Sequence, residues 1–445
     1  MTKVLLIGFN PPQLIRDIKI EAAHYRTWQF LQPLIDDGHQ ICLCAGARGE
    51  STPRVSLPEA WAGQVDYHPI PFGQRGWLQQ LQAAHDAFQP DCIVAVNYFQ
   101  CLYATRLKTN KPIWMDLYGE IFTLIQAANF RTQTDRGLQT TIDFVRQILI
   151  AGDAFSGCSL PQQHALVGEL GMAGRLNRHT FGFEFAHTVL PGAPPIPSTY
   201  PARPVARTLL DPVGVAKEDF VVLWCGGYNT WTDVDTLFAG LEQAMLDAPS
   251  LHYVSVGSST YSGPDNMYER FCNQVKQSRF AERFHLLGWR PWSEMQQFYA
   301  ESDVGINIDA LHYETIYGTR TRLVEMIAGG LPVVTSLGAE LSYLLQLRNA
   351  ALTFEVGDWR GLAAQLAGLA NQPERCVALA HTAYDYAAKE LSFTETTQPV
   401  RRWVREPKHA PDKLPEHRIT MSRQLEYRAR KALRQAIWQV MGADA

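Results

Sequence analysis

The chain has 445 residues, 46% of them hydrophobic and 19% charged, with a formal net charge of -4 and a pI near 6.4. That length corresponds to two or three domains of about 100–200 residues each, and the apolar content is that of an ordinary globular chain. The acidic balance argues against a dedicated nucleic-acid binder, whose domain pI would exceed about 9, although basic residues outnumber acidic ones beyond Pro399.

No apolar run approaches the ~18 residues of a membrane-spanning helix. The opening "MTKVLLIGFN" is too short in its apolar part for a secretory signal and is expected to be a first strand. Eight cysteines occur, none in a CxxC pair. Cys42 and Cys44, two apart, share one face of a strand and are expected to be buried small hydrophobes rather than a metal or redox pair. A reducing cytoplasmic setting follows as the default.

In chain order, "KVLLIGF" (3–9) is a short apolar strand. A helix is expected from about Ile20 to Asp37, stopped by "DGH", and then the strand "QICLCAG" (40–46). "DCIVAVN" (91–97), "KPIWMDLYG" (111–119) and "DAFSGCS" (153–159) continue the rhythm. Strands alternating with helices specify a parallel, doubly wound sheet, in which ligand groups gather at the carboxyl ends of the strands. The stretch 190–215, "LPGAPPIPSTYPARPVARTLLDPVGV", is too rich in proline for a helix or central strand and is expected to link two domains.

The rhythm then restarts with "DFVVLWCGG" (219–227), a helix from about Asp233 to Asp247, and "LHYVSVGS" (251–258). A helix around 265–278, "RFHLLGW" (283–289), a helix from about Pro291 to Glu301, "DVGINID" (303–309) and "PVVTS" (332–336) follow. The expected fold is α/β, with two Rossmann-like domains (1–190 and 216–385) facing across a cleft, a linker (191–215) and a closing helix (386–404). A basic tail (405–445) carries an amphipathic helix at 421–442.

Two stretches of the second half carry candidate chemistry. In "LWCGGYNTWTD", Gly226 and Gly227 allow close backbone approach, and Asn229 and Thr230 precede a helix start that offers N–H groups to an anion. In "YGTRTRLVEMIAGGLPVV" (317–334), Arg320 and Arg322 open an apolar helix, where the macrodipole disfavours positive charge. A docked phosphate would make them tolerable, since guanidinium pairs with phosphate oxygens bidentately, and amides from Thr319 through Thr321 to Arg322 would add to that pocket. Glu325 is either a dipole-stabilised surface carboxylate or an acceptor for vicinal hydroxyls.

Residues 303–345 resemble the donor-binding region of retaining glycosyltransferases of the GT-B fold, family 4 (the "group 1" glycosyltransferases). The pattern "hhExhAxGhPVV" is matched by "LVEMIAGGLPVVTS". Elsewhere "LIDDGHQICLCAG", "MDLYGE", "DAFSGCSLPQQ", "LPGAPP" and "LWCGGYNTWTDVDTLF" are similar to the family's successive segments. The resemblance implies a nucleotide-diphosphate sugar as co-substrate, with no further cofactor. It implies that Glu325 holds the ribose hydroxyls, that Arg320 and Arg322 face the diphosphate, and that Trp289 and Arg290 meet the nucleobase. The family's usual earlier glutamate is replaced here by Tyr317, which leaves Glu314 as the nearest substitute for the sugar contact.

In the first domain the resemblance places Gly8 on the donor side and Asn10 on the acceptor side of the loop after strand one. Asp116 falls near a catalytic, acceptor-side position, and His24, Arg26 and Glu120 line the acceptor side. Charge building on the leaving diphosphate would be stabilised by positioned donors without a metal; the only acidic pair near the donor side, "DVD" (233–235), falls in a helix. The expected acceptor is a saccharide, a lipid-linked saccharide or another small molecule, and the basic helix 421–442 would allow peripheral contact with an anionic membrane surface. Two other enzymes of this fold, and a non-catalytic nucleotide-binding role, are the alternatives. A phosphorylase would need a lysine for pyridoxal phosphate, which has no suitable position here. An epimerase would need paired acids, which only Asp116 and Glu120 could supply.

Overall fold

The computed structural model describes residues 1–15, 20–46, 56–201, 206–261 and 266–413. The first domain runs β1 (Lys3–Gly8), α1 (Ala22–Asp36), β2 (Gln40–Ala45), β3 (Val65–Pro69), α2 (Trp77–Phe88), β4 (Cys92–Val96), α3 (Tyr98–Ala104) and β5 (Ile113–Asp116). It continues through α4 (Ile121–Thr132), α5 (Leu138–Ala151), β6 (Ala154–Gly157), α6 (Leu160–Met172) and β7 (Ala186–Thr188). The seven strands form one parallel sheet in the order β3-β2-β1-β4-β5-β6-β7. Side chains alternate across a strand, so Leu5 and Ile7 enter the core on one face, while Val4 and Leu6 enter the core on the other. A sheet buried on both faces explains why β1 and β4 are uninterrupted apolar runs.

The second domain has β8 (Phe220–Cys225), α7 (Val234–Asp247), β9 (Leu251–Val256), α8 (Met267–Gln277), β10 (Phe284–Gly288), α9 (Met295–Glu301) and β11 (Val304–Asn307). Then come α10 (Tyr313–Tyr317), α11 (Thr321–Ala328), β12 (Val333–Leu337), α12 (Glu340–Leu347), β13 (Leu352–Glu355), α13 (Trp359–Ala370) and α14 (Pro373–Lys389). Its six strands are again parallel, in the order β10-β9-β8-β11-β12-β13. The last part of the expected linker belongs to this domain. Leu210 and Val215 lie in its core, and the buried Arg207 donates to Asp303 at 2.9 Å.

Two short helices, α15 (Phe393–Thr396) and α16 (Gln398–Arg405), return the chain to the first domain. Val400, Trp403 and Val404 pack into the core that holds Val4 and Leu6, and Arg401 grips Asp37 at 2.5 and 2.9 Å. The start of the expected tail is therefore part of the fold. Asp412 pairs with Arg175 at 2.6 Å and Ala410 is buried in the first domain. The expected helix 421–442 lies outside the described residues.

The chain's two crossings between domains are tied together. Ala193 N donates to Leu391 O at 2.6 Å and Phe393 N to Ala193 O at 2.8 Å. Gln29 on α1 clamps both crossings, donating to Leu190 O at 2.7 Å and to Thr396 Oγ1 at 2.8 Å. The carboxyl ends of the two sheets thus face one cleft across a braced hinge.

Candidate nucleotide-sugar site

Helix α11 is amphipathic in the way the cleft requires. Leu323, Val324, Met326 and Ile327 are buried in the second domain's core, while Thr321, Arg322 and Glu325 keep partial exposure. Arg322 and Glu325 are three apart and so share one side of the helix. No side chain caps the helix start among the described residues; Leu323 N turns back to Arg320 O at 3.1 Å, which leaves the amides of Thr321 and Arg322 to solvent or to a ligand.

The two arginines of the helix start have separate fates. Arg320 is buried, and its Nε donates to both oxygens of Asp309 at 2.9 Å. Its two Nη atoms donate to Glu314 at 3.1 and 2.8 Å and to Thr319 O at 3.0 Å. Burial alone would lower its pKa, yet the two carboxylates hold it above the ordinary arginine value. The expectation that Arg320 faces the diphosphate is corrected: its donors are spent on Asp309, Glu314 and the loop itself. Glu314 is corrected with it, because both of its oxygens are engaged by Arg320 and the residue is buried.

Arg322 has one arm fixed and one free. Its Nη2 donates to Gly227 O at 2.9 Å, and its guanidinium lies 4.3 Å from the centroid of the Trp224 ring. Its Nη1 is buried and has no hydrogen-bond partner among the described residues. Burial pushes its pKa down. An uncompensated buried donor of this kind is costly unless a ligand meets it.

Glu325 is the complementary feature. Its carboxyl has no ion-pair or hydrogen-bond partner among the described residues, and burial pushes its pKa up to about 7 while Arg322 restrains the rise. The buried Thr319 Oγ1 also lacks a partner among the described residues.

The glycine turn closes over this group. Gly226 has φ 93°, a left-handed conformation suited to glycine. A Cβ on Gly227 would sit 2.1 Å from Thr260 Cγ2, so the turn packs against the neighbouring loop with no room for a side chain. Asn229 Oδ1 accepts from Thr260 Oγ1 at 2.9 Å, and Thr230 Oγ1 accepts from Arg131 Nη1 at 3.3 Å. Arg131, from α4 of the other domain, also lies 3.8 Å from the Tyr261 ring centroid. Trp289 is 40% exposed, with its ring tip 3.5 Å from where a Gly227 Cβ would stand. Arg290 instead turns to Glu294 at 3.0 Å.

The first-domain candidates are mostly spent on structure. Asp116 and Arg26 form a bidentate pair at 2.8 and 3.0 Å, with side chains 0% and 1% exposed, and Ser156 Oγ also donates to Asp116 at 2.6 Å. Asp116 as a catalytic group and Arg26 as an acceptor contact are therefore corrected. Arg26 braces the hinge, donating to Leu190 O at 3.3 Å and to Gln29 at 2.9 Å.

Glu120 is corrected likewise. It caps α4, accepting from Phe122 N at 2.9 Å and Thr123 N at 2.7 Å. His24 is buried, accepts from Glu21 N at 2.9 Å in a capping box, and meets Phe9 edge-on at 5.2 Å. It thus stands in the first turn of α1, as the sequence led one to expect. Asn10 is buried and accepts from Tyr67 at 2.8 Å. Gly8 lies against Thr27, where a Cβ would come within 2.5 Å, so it serves the packing of α1 on β1.

Several site residues could not be picked out by sequence. Asp309 closes the run "DVGINID" but gave no sign of its arginine. Tyr118 sits in the quoted "MDLYGE"; its hydroxyl meets Thr321 Oγ1 at 2.5 Å across the cleft, so Thr321 is a domain contact as well as a helix start. Ser159 Oγ donates to Tyr317 O at 2.6 Å and Leu160 N to Glu340 at 2.6 Å, further bridging the domains. Tyr317, in the place of the expected glutamate, thus contributes its backbone to the interface while its ring stacks on Tyr313 at 6.4 Å.

A profile of the family described as "Glycosyl transferases group 1" matches residues 219–372, nearly the whole second domain. The second domain is that of a group 1 glycosyltransferase. The two-sheet architecture is the GT-B fold.

Sucrose-phosphate synthase from Thermosynechococcus elongatus superposes with a TM-score of 0.67 at 15% identity, covering 91% of this chain and 98% of that one. Anabaena HepE in complex with UDP-glucose gives 0.60 at 16% identity, with 91% and 100% covered. WaaG, a glycosyltransferase involved in lipopolysaccharide biosynthesis, gives 0.56 at 13% identity, with 90% and 98% covered. At these identities the likeness concerns the fold. Among curated proteins none matches the sequence. No helix among the described residues is long and apolar enough to cross a membrane.

Proposed function

We propose that the chain is a group 1 glycosyltransferase that moves a sugar from a nucleoside-diphosphate sugar to a saccharide, lipid-linked or other small acceptor, with retention of anomeric configuration and without a metal. The observation that carries the reading is the pairing on one side of α11 of an arginine Nη1 and a carboxyl that have no partner among the described residues, beneath the Gly226–Gly227 turn. Arg322 would take a phosphate oxygen, with charge building on the leaving diphosphate as the sugar departs. The first-turn amides of α11 would share that charge, a preorganised electrostatic stabilisation of the kind that accounts for much of the rate enhancement in many enzymes. Glu325, ionised, would accept from the two ribose hydroxyls, and Trp289 would offer its exposed face to the base.

Uridine is the base we favour, because a structure of the same fold, Anabaena HepE, holds UDP-glucose. Asp116 and Glu120 are engaged by Arg26 and by the start of α4, which removes the paired acids an epimerase would need. The test is transfer or hydrolysis with a panel of UDP-, GDP-, dTDP- and ADP-sugars, with the anomeric configuration of the first product followed by NMR. Turnover of none of them, or inversion at the anomeric carbon, would overturn this reading.

A cytoplasmic location with peripheral attachment to an anionic membrane belongs to the same proposal and rests on the basic segment 421–442. Deleting 418–445 should abolish binding to anionic liposomes; unchanged binding contradicts that part.

A further inference from the structure

The outer edge of the first sheet holds a group of side chains that glycosyl transfer does not use. Among the described residues strand β3 ends the sheet and pairs only with β2, in parallel register. Cys42 lies opposite Asp66, and Cys44 lies opposite His68. Register partners present their side chains on the same face, and residues two apart on a strand do the same. Two thiols, a carboxylate and an imidazole are therefore gathered on one side of a two-strand ribbon.

The distances bear this out. The Cys42 and Cys44 sulfurs are 4.0 Å apart, and His68 Nε2 is 2.9 Å from Asp66 Oδ2. One ligand atom from each of Cys42, Asp66 and His68 falls within 4.8 Å of the others. Zinc bonds of about 2.0–2.3 Å place any two ligands of one ion within roughly 4.6 Å, so small side-chain adjustments bring Cys42, Asp66 and His68 together, and the neighbouring Cys44 sulfur is the nearest candidate for a fourth donor.

We propose that Cys42, Cys44, Asp66 and His68 form a binding site for a thiophilic divalent cation, Zn2+ being the best fit. The donor set decides the metal class. Thiolate sulfur and imidazole nitrogen select Zn2+ over Mg2+ or Ca2+, which prefer all-oxygen shells, and four ligands satisfy the tetrahedral preference of a structural site. The cysteines are buried against α2, whereas His68 and Asp66 keep 39% and 61% of their side-chain surface exposed, so an ion reaches the thiols from the open edge. Binding replaces the two S–H bonds by two S–metal bonds and releases two protons to solvent. The consequence is a staple holding the edge strand β3 to β2, at a place where only one ladder of hydrogen bonds secures it.

The full-length protein, stripped with a chelator and dialysed, is titrated with Co2+ and then with Zn2+ in competition with a chromophoric chelator. The proposal predicts one equivalent of Co2+ with thiolate-to-metal absorption, displaced by Zn2+. His68→Ala should weaken Zn2+ at least about tenfold, the scale set by loss of even an outer partner of a metal ligand. Cys42→Ser should diminish the thiolate absorption. His68→Ala alters a partly exposed side chain, so this variant keeps the test decisive if Cys42→Ser fails to fold. Absence of thiolate absorption, or an unchanged Zn2+ affinity in His68→Ala, would overturn the proposal and leave the cysteines as core filler.

Discussion

Arg320 and Glu314, six residues apart in sequence, share two hydrogen bonds of 3.1 and 2.8 Å in a buried setting, and Asp309 takes the remaining edge of the same guanidinium. This triad pins the loop from which α11 starts, and so fixes where Arg322 and Glu325 point. Removing one partner of a buried pair strands the others, at a cost of about 3–5 kcal/mol. Arg320→Met should therefore lower unfolding stability by that amount, measured by urea denaturation, with loss of donor binding following from the loosened loop.

Arg322→Ala should behave in the opposite way. It removes an uncompensated donor and one bond to Gly227 O, so stability should change little. Loss of a charge-assisted hydrogen bond of about 1.5–3 kcal/mol corresponds to roughly a 10- to 150-fold weaker donor. Calorimetric affinity and denaturation on one protein sample separate the two arginines.

The pH dependence follows from Glu325. Its ordinary value is 4.5 and burial raises it to about 7 in the fold, so the folded protein holds an extra proton between those values. Stability of the ligand-free enzyme should therefore fall as pH rises through that window. At pH 8 Glu325→Gln should restore on the order of 1–3 kcal/mol, and at pH 4.5 it should restore almost nothing. Donor affinity should run the other way, weakening as pH drops below about 7, because the protonated carboxyl loses acceptor capacity toward the ribose hydroxyls. Thermal melts with and without nucleotide across this range check both signs.

Across the cleft, Tyr118→Phe removes the hydroxyl contact to Thr321. One such bond is worth about 0.5–1.5 kcal/mol net, so closure should weaken and kcat/KM should fall by no more than roughly tenfold. Small-angle scattering should show a more open average shape, and Thr321→Val should reproduce both effects.

The two Rossmann-like sheets were legible because buried parallel strands are continuous apolar runs, as in "VLLIG" and "FVVLWC". Strands β3, β7 and β13 were not. "VDYHP" mixes charge with a proline because it is an edge strand, and such a run does not differ from a loop in sequence. The donor side was half legible. The motif singles out Arg322 and Glu325, and the fold sets them on one side of α11, but Arg320, two residues away, faces inward to carboxylates at 309 and 314.

The first-domain candidates show the same limit. Asp116 and Arg26 both stand out in the sequence, yet their pairing spans 90 residues and only the packing of α1 on the sheet brings them together. The residues best placed at strand ends proved to be those the fold spends on its hinge.

The most direct test is a calorimetric titration of the full-length protein and its Arg322→Ala variant with UDP-glucose at pH 8. A donor site built on Arg322 predicts saturable binding by the parent protein and at least about tenfold weaker binding by the variant, at unchanged folding stability. Equal affinity in the two proteins would contradict it.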